Sequence, residues 1–198
     1  MSNNREKKID SILHASLRVL ATKGYENATI ADISKAAHVS RGILHYYFSD
    51  KEDLVSKTLA KSSDSLIQSI LVKVKRNSAE ELVNDMLDRY IMNLQQHSDF
   101  FAFLFEMWCA SRRSKKIRRE LEICVEKVVN AIQGLLNDTQ ENGITNFNLE
   151  ESKEKARALL ALSDGIAFHL LLNPAPESLK DKKFWLQIRS MMLSVLKN

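Results

Sequence analysis

The chain has 198 residues, of which 44% are hydrophobic and 27% charged, with only five glycines and two prolines. This length and composition allow one large domain or two small ones, with long helices and a substantial core. The formal net charge is +4, and residues 1–60 carry nine basic and seven acidic side chains. These counts permit contact with nucleic acid but exclude a strongly basic domain, so any affinity for DNA must come from local placement of charge.

The sequence also argues against secretion, membrane insertion and metal binding. The start, Met1–Lys8, is polar and charged, unlike a secretory leader. The most apolar run, Ala158–Leu172, is too short to span a bilayer and contains Asp164. Cys109 and Cys124 match no metal-ligand spacing, and two reduced thiols are favoured over a redox pair. We therefore expect a cytoplasmic protein without metal, cofactor or membrane contact.

Hydrophobic residues at helical spacing predict an all-α protein of nine helices, without strands or repeats. The first four helices are predicted at Lys7–Lys23, Ile30–Ala37, Arg41–Phe48 and Lys51–Lys75. Gly24 stops the first of these, and Thr29, Ser40 and Asp50 are placed to cap the other three. The fifth helix is predicted to open at Ser78 and to include Leu94, the sixth to run from Ser98 to about Ser111, and the seventh from about Lys115 to Asn137. After a loop over residues 143–149, the eighth is predicted to begin at Glu150 and to end at Asn173-Pro174, and the ninth to begin near Ser178.

The second and third helices are separated by four residues only, Ala37-His38-Val39-Ser40. So tight a joint forces the two helices to cross steeply, which is the geometry of a helix-turn-helix. In that motif the second helix enters the major groove of DNA. The candidate DNA contacts are the residues left outside the small core or placed at helix starts: Thr29, Arg41, Gly42, His45, Tyr46, Tyr47 and Lys51.

The chemistry of these residues suits a DNA surface. Arg41 lies on the first turn of the third helix, from which it can reach a guanine edge. The hydroxyls of Tyr46 and Tyr47 can bond phosphate oxygens, and their rings can touch thymine methyl groups. Lys51 begins the fourth helix, where side chain and free N–H groups together favour a phosphate. Gly42 weakens its helix by roughly 1 kcal/mol, which a close approach of the backbone to DNA would explain.

Three of these candidate residues have plain structural alternatives. Tyr46, Tyr47 and Phe48 would also suit a seam between the small unit and the rest of the chain, and Phe48 suits it best. His45 is as well placed for passive exposure as for a phosphate contact. Thr29 could contact a phosphate at the start of the second helix, as Lys51 could at the start of the fourth.

Residues 5–60 resemble the N-terminal domain of the TetR family of bacterial transcriptional regulators. The matching stretches are Gly24-Tyr25, Ala28-Thr29-Ile30, Ile33-Ser34-Lys35-Ala36-Ala37, Val39-Ser40-Arg41-Gly42, Tyr46-Tyr47-Phe48 and Lys51-Glu52-Asp53-Leu54. The resemblance implies a helix-turn-helix DNA-binding domain, here residues 1–50, and a helical ligand-binding and dimerisation domain, residues 51–198. It also implies that the seven candidate residues lie at or near DNA.

Two positions depart from the family pattern. The turn usually holds glycine where this chain has His38, and histidine is among the few other residues that tolerate a positive φ, at a cost of order 1 kcal/mol. His45 stands where tyrosine is more common. Base preference therefore cannot be copied from other members of the family.

The last two helices predict a dimer interface. Eleven of the fifteen residues from Ala158 to Leu172 are apolar, and a helix that is apolar nearly all round must be buried on more than one side. Small residues such as Ala161 and Gly165 would let another helix approach closely. A homodimer in which the last two helices of each chain form a four-helix bundle would bury both, and the resemblance implies the same interface. A core within one chain is the alternative.

An aromatic sixth helix suggests a cavity for a small-molecule effector. The candidate ligand-binding residues are Met86, Tyr90, Phe101, Phe105, Trp108, Asp164 and Phe168. Glu106 and Asp164 are carboxylates within apolar stretches, and either would suit a cationic ligand, helped by cation–π attraction to Trp108. Short stretches around these residues also resemble the BetI branch of the family. Core packing is the alternative for each residue taken alone.

The run Arg112–Arg119 holds six basic residues among eight. A solvated connector is one interpretation. The other is that the run lies near the DNA-binding domain and adds attraction for phosphate or senses an anion.

Together these features predict a homodimeric repressor that binds a palindromic operator in double-stranded DNA and is released by a small-molecule effector. A ligand-responsive activator would share every feature, and a small-molecule carrier without DNA function is a further alternative. No Ser/His/Asp set, metal spacing or phosphate loop points to an enzyme.

Overall fold

The computed structural model describes residues 2–71, 77–145, 148–172 and 181–197. These residues form nine helices and contain no strand, which confirms the predicted all-α class. In chain order the helices are α1 Ser2–Asn27, α2 Ile30–Ala36, α3 Arg41–Tyr47, α4 Lys51–Ile70, α5 Ala79–Gln96, α6 Ser98–Ser111, α7 Lys115–Glu141, α8 Leu149–Leu172 and α9 Lys182–Lys197. The predicted boundaries at Lys75, Asn173-Pro174 and Ser178 lie outside the described residues.

The first helix begins at Ser2, earlier than predicted. Its regular part ends where Gly24 was expected to stop it, because Gly24 has non-helical angles, φ 76° and ψ 164°, inside α1. Only glycine adopts this combination of angles at little cost. A short further turn then runs to Asn27, closed by a hydrogen bond from the Ala28 N–H to the Gly24 carbonyl at 3.1 Å.

The described chain packs as two compact units. The first consists of Met1–Ser65 with His97–Cys124, and the second of Leu66–Gln96 with Val125–Asn198. The first unit thus adds α6 and the start of α7 to the helix-turn-helix. The predicted division after residue 50 concerns function and independent folding, and it stays a prediction.

A small apolar core holds α2 and α3 against α1 in the first unit. Its buried members are Ile12, Leu13, Ala15, Ile33, Ala37, Leu44, Phe48 and Leu54. Leu44 lies on the inner face of α3, and Phe48 follows the last residue of that helix. Both are buried in this core, so one side of the short helix is fixed. Helix α1 packs against both α2 and α6.

In the second unit, α9 packs against α5 and α8. Buried apolar side chains at helical spacing line these helices: Leu82, Val83, Leu87 and Leu94 on α5, Ile166, Ala167 and Leu170 on α8, and Ile188, Met192 and Leu196 on α9. The buried Lys155 ammonium donates to the Val195 carbonyl at 2.7 Å and so ties α8 to the last turn of α9. This bond satisfies a charge that would otherwise be costly to bury.

The turn between α2 and α3 is closed by a Schellman motif. The Val39 N–H donates to the Ser34 carbonyl at 3.0 Å, and the His38 N–H donates to the Lys35 carbonyl at 3.2 Å. This geometry needs a left-handed residue, and His38 has φ 53°. The expected positive φ at His38 is therefore confirmed. Ser40 then caps α3, since its hydroxyl accepts a hydrogen bond from the Ile43 N–H at 3.3 Å.

Substitution of His38 should test the strain in this turn. We expect His38→Val to lower the free energy of unfolding by about 1 to 2 kcal/mol, because a β-branched side chain resists a positive φ. His38→Asn should stay close to the original protein, since asparagine tolerates the left-handed region. Urea denaturation measures both, with His14→Val at an exposed position of α1 as the control. Equal losses for His38→Val and His14→Val would contradict the strained turn.

Candidate nucleic-acid interface

Thr29 fixes the start of α2 through a capping box. Its hydroxyl accepts a hydrogen bond from the Asp32 N–H at 3.1 Å, and the Asp32 carboxylate accepts one from the Thr29 N–H at 3.0 Å. The Lys23 ammonium lies 2.6 Å from the same carboxylate. This pairing, followed by the bonds from Thr29, holds the pKa of Asp32 well below its usual range. The predicted cap at Thr29 is confirmed, and a cap of this kind contributes about 1 kcal/mol.

Helix α3 has a buried face and an exposed face. Leu44 and Phe48 are buried, whereas Arg41, His45 and Tyr46 are exposed. Tyr46 is 76% exposed, more than any other large apolar or aromatic side chain of the described residues. The seam interpretation therefore holds for Phe48 and not for Tyr46.

Tyr47 lies between these extremes. It is half-buried against the small core, and its ring meets that of Tyr46 edge-on with centroids 4.9 Å apart. The Arg5 guanidinium lies 5.8 Å from the Tyr47 ring centroid, which brings the start of α1 beside α3. No pattern in the sequence pointed to Arg5.

Gly42 has no packing reason within the chain. A Cβ at this position would meet only the Ser40 hydroxyl oxygen, at an ordinary 3.8 Å. The glycine is exposed, on the outer side of α3. Its presence is therefore consistent with the predicted close approach of the backbone to another molecule.

The Lys51 side chain is directed towards α1. Its ammonium donates a hydrogen bond to the Tyr25 carbonyl and lies 4.5 Å from the centroid of the Tyr25 ring. Burial lowers the pKa of Lys51. Its predicted contact with phosphate stays a prediction, and in this conformation the side chain holds the end of α1.

Glu106 of α6 contacts the same segment from another side. Its carboxylate oxygen Oε2 accepts a hydrogen bond from the Tyr25 N–H at 2.9 Å. The expectation that Glu106 is a partner for a cationic ligand loses support, because the carboxylate is already engaged within the chain. A link between residues 81 positions apart left no trace in the sequence pattern.

The basic run also meets the helix-turn-helix. Arg113 pairs with Glu26 at 2.7 Å, and the Lys116 ammonium lies 3.7 Å from Asp50 and 3.8 Å from Asp53. The run therefore lies beside the predicted DNA-binding domain, as one of its two interpretations expected. Whether it attracts phosphate is a separate matter that stays a prediction.

The net charge of the chain is confined to the first unit. By residue count the first unit holds 16 basic and 12 acidic side chains, whereas the second holds 13 of each. The whole formal charge of +4 therefore belongs to the unit that contains α3. An anionic partner would be attracted to this unit and not to the other.

The predicted effector residues are divided between the two units. Phe101, Phe105 and Trp108 lie on α6 in the first unit, and Met86, Tyr90, Asp164 and Phe168 lie on α5 and α8 in the second. They also differ in exposure: Phe101 is buried in the core, whereas Trp108 and Phe168 are exposed.

Tyr90 and Asp164 form a polar pair within the second unit. The Tyr90 hydroxyl donates a hydrogen bond to the Ser163 carbonyl. Burial, and next the neighbouring Asp164 carboxylate, raise the pKa of Tyr90 far above its usual value. Burial also raises the pKa of Asp164 to about 6. Asp164 is thus a carboxylate that is costly to ionise, which a bound cation would relieve.

The described ranges contain no group of three or more His, Cys, Asp or Glu side chains that could hold a metal ion. Of the helices described, none is long and apolar enough to cross a membrane. Cys109 is exposed and Cys124 is buried.

Comparison with known proteins gives two family matches. A family model described as bacterial regulatory proteins, tetR family, matches residues 12–58. A second model, described as BetI-type transcriptional repressor, C-terminal, matches residues 79–190, which is more than half of the chain.

Individual transcriptional regulators are similar to this chain along most of their length. The chain is 26% identical over 176 residues to the HTH-type transcriptional regulator PksA of Bacillus subtilis (strain 168), covering 86% of this chain and 82% of PksA. It is 24% identical over 172 residues to the HTH-type transcriptional regulator BetI of Escherichia coli (strain K12), covering 83% of each. The solved structure of Salmonella enterica GusR matches with a TM-score of 0.82 and 19% identity over 96% of this chain and 95% of GusR, which supports the fold.

The raised pKa of Asp164 leads to a prediction about stability and pH. Because the folded-state pKa of about 6 lies above the unfolded value, the neutral carboxyl stabilises the fold at low pH, and this contribution is lost as pH rises through 6. We expect Asp164→Asn to be more stable than the original protein at about pH 8, with an advantage that shrinks by about 1 kcal/mol at about pH 5.

Urea denaturation at the two pH values measures this difference. Asp138→Asn, which changes an exposed carboxylate of α7 in the same unit, is the matched control and should show no comparable trend. The same pH dependence in both variants would contradict a partly buried Asp164 that is hard to ionise.

Proposed function

Because the chain belongs to the TetR family of bacterial regulatory proteins, we propose that it represses transcription by binding a palindromic operator as a homodimer and is released by a small-molecule effector. The observation that carries this proposal is the exposed face of α3, anchored from behind by Leu44 and Phe48. The description of the matching C-terminal model as a transcriptional repressor favours repression over activation.

The interface with DNA is proposed to be the exposed side of the helix-turn-helix. Arg41 reads a base edge in the major groove, and Tyr46 and Tyr47 contact phosphates or thymine methyl groups. Thr29, Gly42, His45 and Lys51 complete the surface at the helix starts and on the same side of α3. The positive charge of the first unit supports this assignment, since phosphate attraction supplies much of the affinity of such proteins.

A homodimer through α8 and α9 is supported by an exposed stripe on α8. The residues of this stripe recur every three or four positions, are small or apolar, and are all exposed in the single chain: Ala158, Ala161, Gly165, Phe168 and Leu172. Leu186 and Met191 add exposed apolar surface on α9, at 60% and 53%. Spacing of three and four residues is that of a helix–helix seam, so a second copy of this face would bury the stripe.

Such a dimer would carry two recognition helices related by a twofold axis. They would enter successive major grooves about 34 Å apart, which requires a near-palindromic operator. An effector that prefers a dimer with differently spaced recognition helices would then release the DNA.

The effector is proposed to bind within the second unit, among the candidate residues of α5 and α8. Tyr90 and Asp164 are the polar members, and Met86 and Phe168 lie on the same two helices, α5 and α8. A cationic small molecule would suit the carboxylate of Asp164, because burial disfavours the ionised form and a nearby cation would stabilise it. Phe101, Phe105 and Trp108 lie on α6 in the first unit, and their contact with an effector stays a prediction. We also propose that this regulator acts in the cytoplasm and carries out no catalysis.

Binding to DNA can be tested with a duplex enriched by the protein from a random-sequence library. We expect a palindromic consensus, and affinity that falls steeply with salt because phosphate contacts release counterions. Fluorescence anisotropy at two salt concentrations, with a scrambled duplex, measures both. Failure to enrich any sequence would contradict the proposed function.

Tyr46→Ala tests the recognition surface within the same assay. It should weaken binding to the enriched duplex about tenfold, while thermal stability stays unchanged because the side chain is largely exposed. Met92→Ala, which removes an exposed side chain of α5, is the control. Unchanged affinity for Tyr46→Ala would refute the role of this face.

The proposed dimer interface can be tested with two matched glycines. Gly165 on α8 and Gly134 on α7 are both exposed helical glycines, and a Cβ at either would meet no other atom within 4 Å. Gly165→Glu should dissociate the dimer and abolish tight operator binding, because it places a charge in the seam. Gly134→Glu should leave both unchanged. Sedimentation velocity gives the oligomeric state, and a dimeric Gly165→Glu protein would rule out this seam.

A further inference from the structure

The interruption of α1 is occupied by a side chain from α6. Gly24 has φ 76° and ψ 164°, and a Cβ built on it would lie 2.9 Å from Oε2 of Glu106. Such a distance is too short for any real Cβ contact, so the carboxylate fills the space that a side chain at residue 24 would need. The glycine therefore permits both the backbone angles and the close approach of Glu106.

Both backbone polar groups of Tyr25 are held by side chains from other helices. Its N–H donates to Glu106 of α6 at 2.9 Å, and its carbonyl accepts from Lys51 of α4. The bond to Glu106 is partly buried and has a carboxylate oxygen as its acceptor, which makes it stronger than a bond between two neutral groups in water. The ion pairs from Arg113 and Lys116 nearby are more exposed and individually weaker.

The position of Tyr25 determines where the helix-turn-helix begins. Gly24 accepts the bond from the Ala28 N–H, and Thr29, the cap of α2, follows directly. A displacement at Tyr25 is therefore transmitted through four residues to the start of α2. No flexible linker intervenes, since the intervening turn and the cap are both hydrogen-bonded.

From this geometry we infer that Glu106 is a positioning residue for DNA binding: its carboxylate on α6 fixes the Gly24–Tyr25 peptide and thereby the helix-turn-helix. The inference rests on the proposed function for its consequence, and on the structure for the contact. Glu106 touches no DNA in this scheme. It acts through the backbone of Tyr25.

Three variants test the inference in the full-length protein. Glu106→Ala removes the acceptor, Glu106→Gln keeps an acceptor oxygen without the charge, and Glu122→Ala removes an exposed carboxylate of α7 in the same unit. Binding to the enriched duplex is measured by anisotropy, and exchange of the Tyr25 amide proton is followed by nuclear magnetic resonance. Circular dichroism verifies that each variant is folded.

We expect Glu106→Ala to weaken binding about tenfold and to speed exchange of the Tyr25 amide, because that amide loses its acceptor. Glu106→Gln should restore most of both, and Glu122→Ala should change neither. A rescue by glutamine separates the hydrogen bond from a general loss of charge. It also keeps the test valid if the alanine variant is unstable.

Two results would overturn the inference while leaving the proposed function intact. One is selective binding by Glu106→Ala with unchanged affinity, and the other is a Tyr25 amide that exchanges equally in all variants. If the original protein binds no DNA sequence selectively, the proposed function fails and the positioning role fails with it. The exchange data then still show whether the contact exists.

Discussion

The packing of α1 on two sides is the constraint on which the DNA-binding unit depends. A domain of about 60 residues buries only about 60% of the surface that its unfolded chain exposes, so a three-helix motif alone has a thin core. One side of α1 meets α2 and α3 through Ile12 and Leu13. The helix also packs against α6, and it buries Ser16 and Leu20 outside that small core. The recognition helix is therefore fixed by a core that extends beyond the motif itself.

Features set by neighbours within a few residues could be predicted from the sequence. The caps at Thr29 and Ser40 use groups three residues away. The positive φ of His38 was expected because the family that the sequence resembles usually has glycine at that position, and the structure confirms it. Amphipathic spacing likewise placed the helices and the buried faces of Leu44 and Phe48. Local geometry alone decides such features, so one sequence suffices to expect them.

Features that depend on packing between distant segments could not be predicted. Glu106 looked like a carboxylate in an apolar stretch, and only the approach of α6 to α1 shows that it bonds Tyr25. Lys51 was expected at the start of α4, and it lies there, but the direction of its side chain depends on where Tyr25 lies. The partners of Arg113 and Lys116 were hidden for the same reason.

The ion pairs of the basic run also change how the charge of the DNA-binding unit is interpreted. Residues 1–60 alone hold almost as many acidic as basic side chains. Arg113 and Lys116 meet Glu26, Asp50 and Asp53, so cations from outside the motif offset several of its carboxylates. These paired carboxylates would then repel the phosphates of a DNA duplex less strongly, although each exposed ion pair is weak by itself. Under the proposed function, the charge balance of residues 1–60 alone would therefore understate the attraction of the first unit for phosphate.

Asp164, in contrast to these ion pairs, lowers the stability of the folded chain near neutral pH. Its burial raises its pKa to about 6, so near neutral pH the folded chain must hold an ionised carboxylate in poorly solvated surroundings. A neutral isostere would fold more easily there, and proteins tend to keep such costly groups where a ligand makes use of them. Under the proposed function, a cationic effector would supply the missing charge. Binding would then be strengthened by relief of a cost that the free protein already bears, which is a direct physical route to preference for one conformational state.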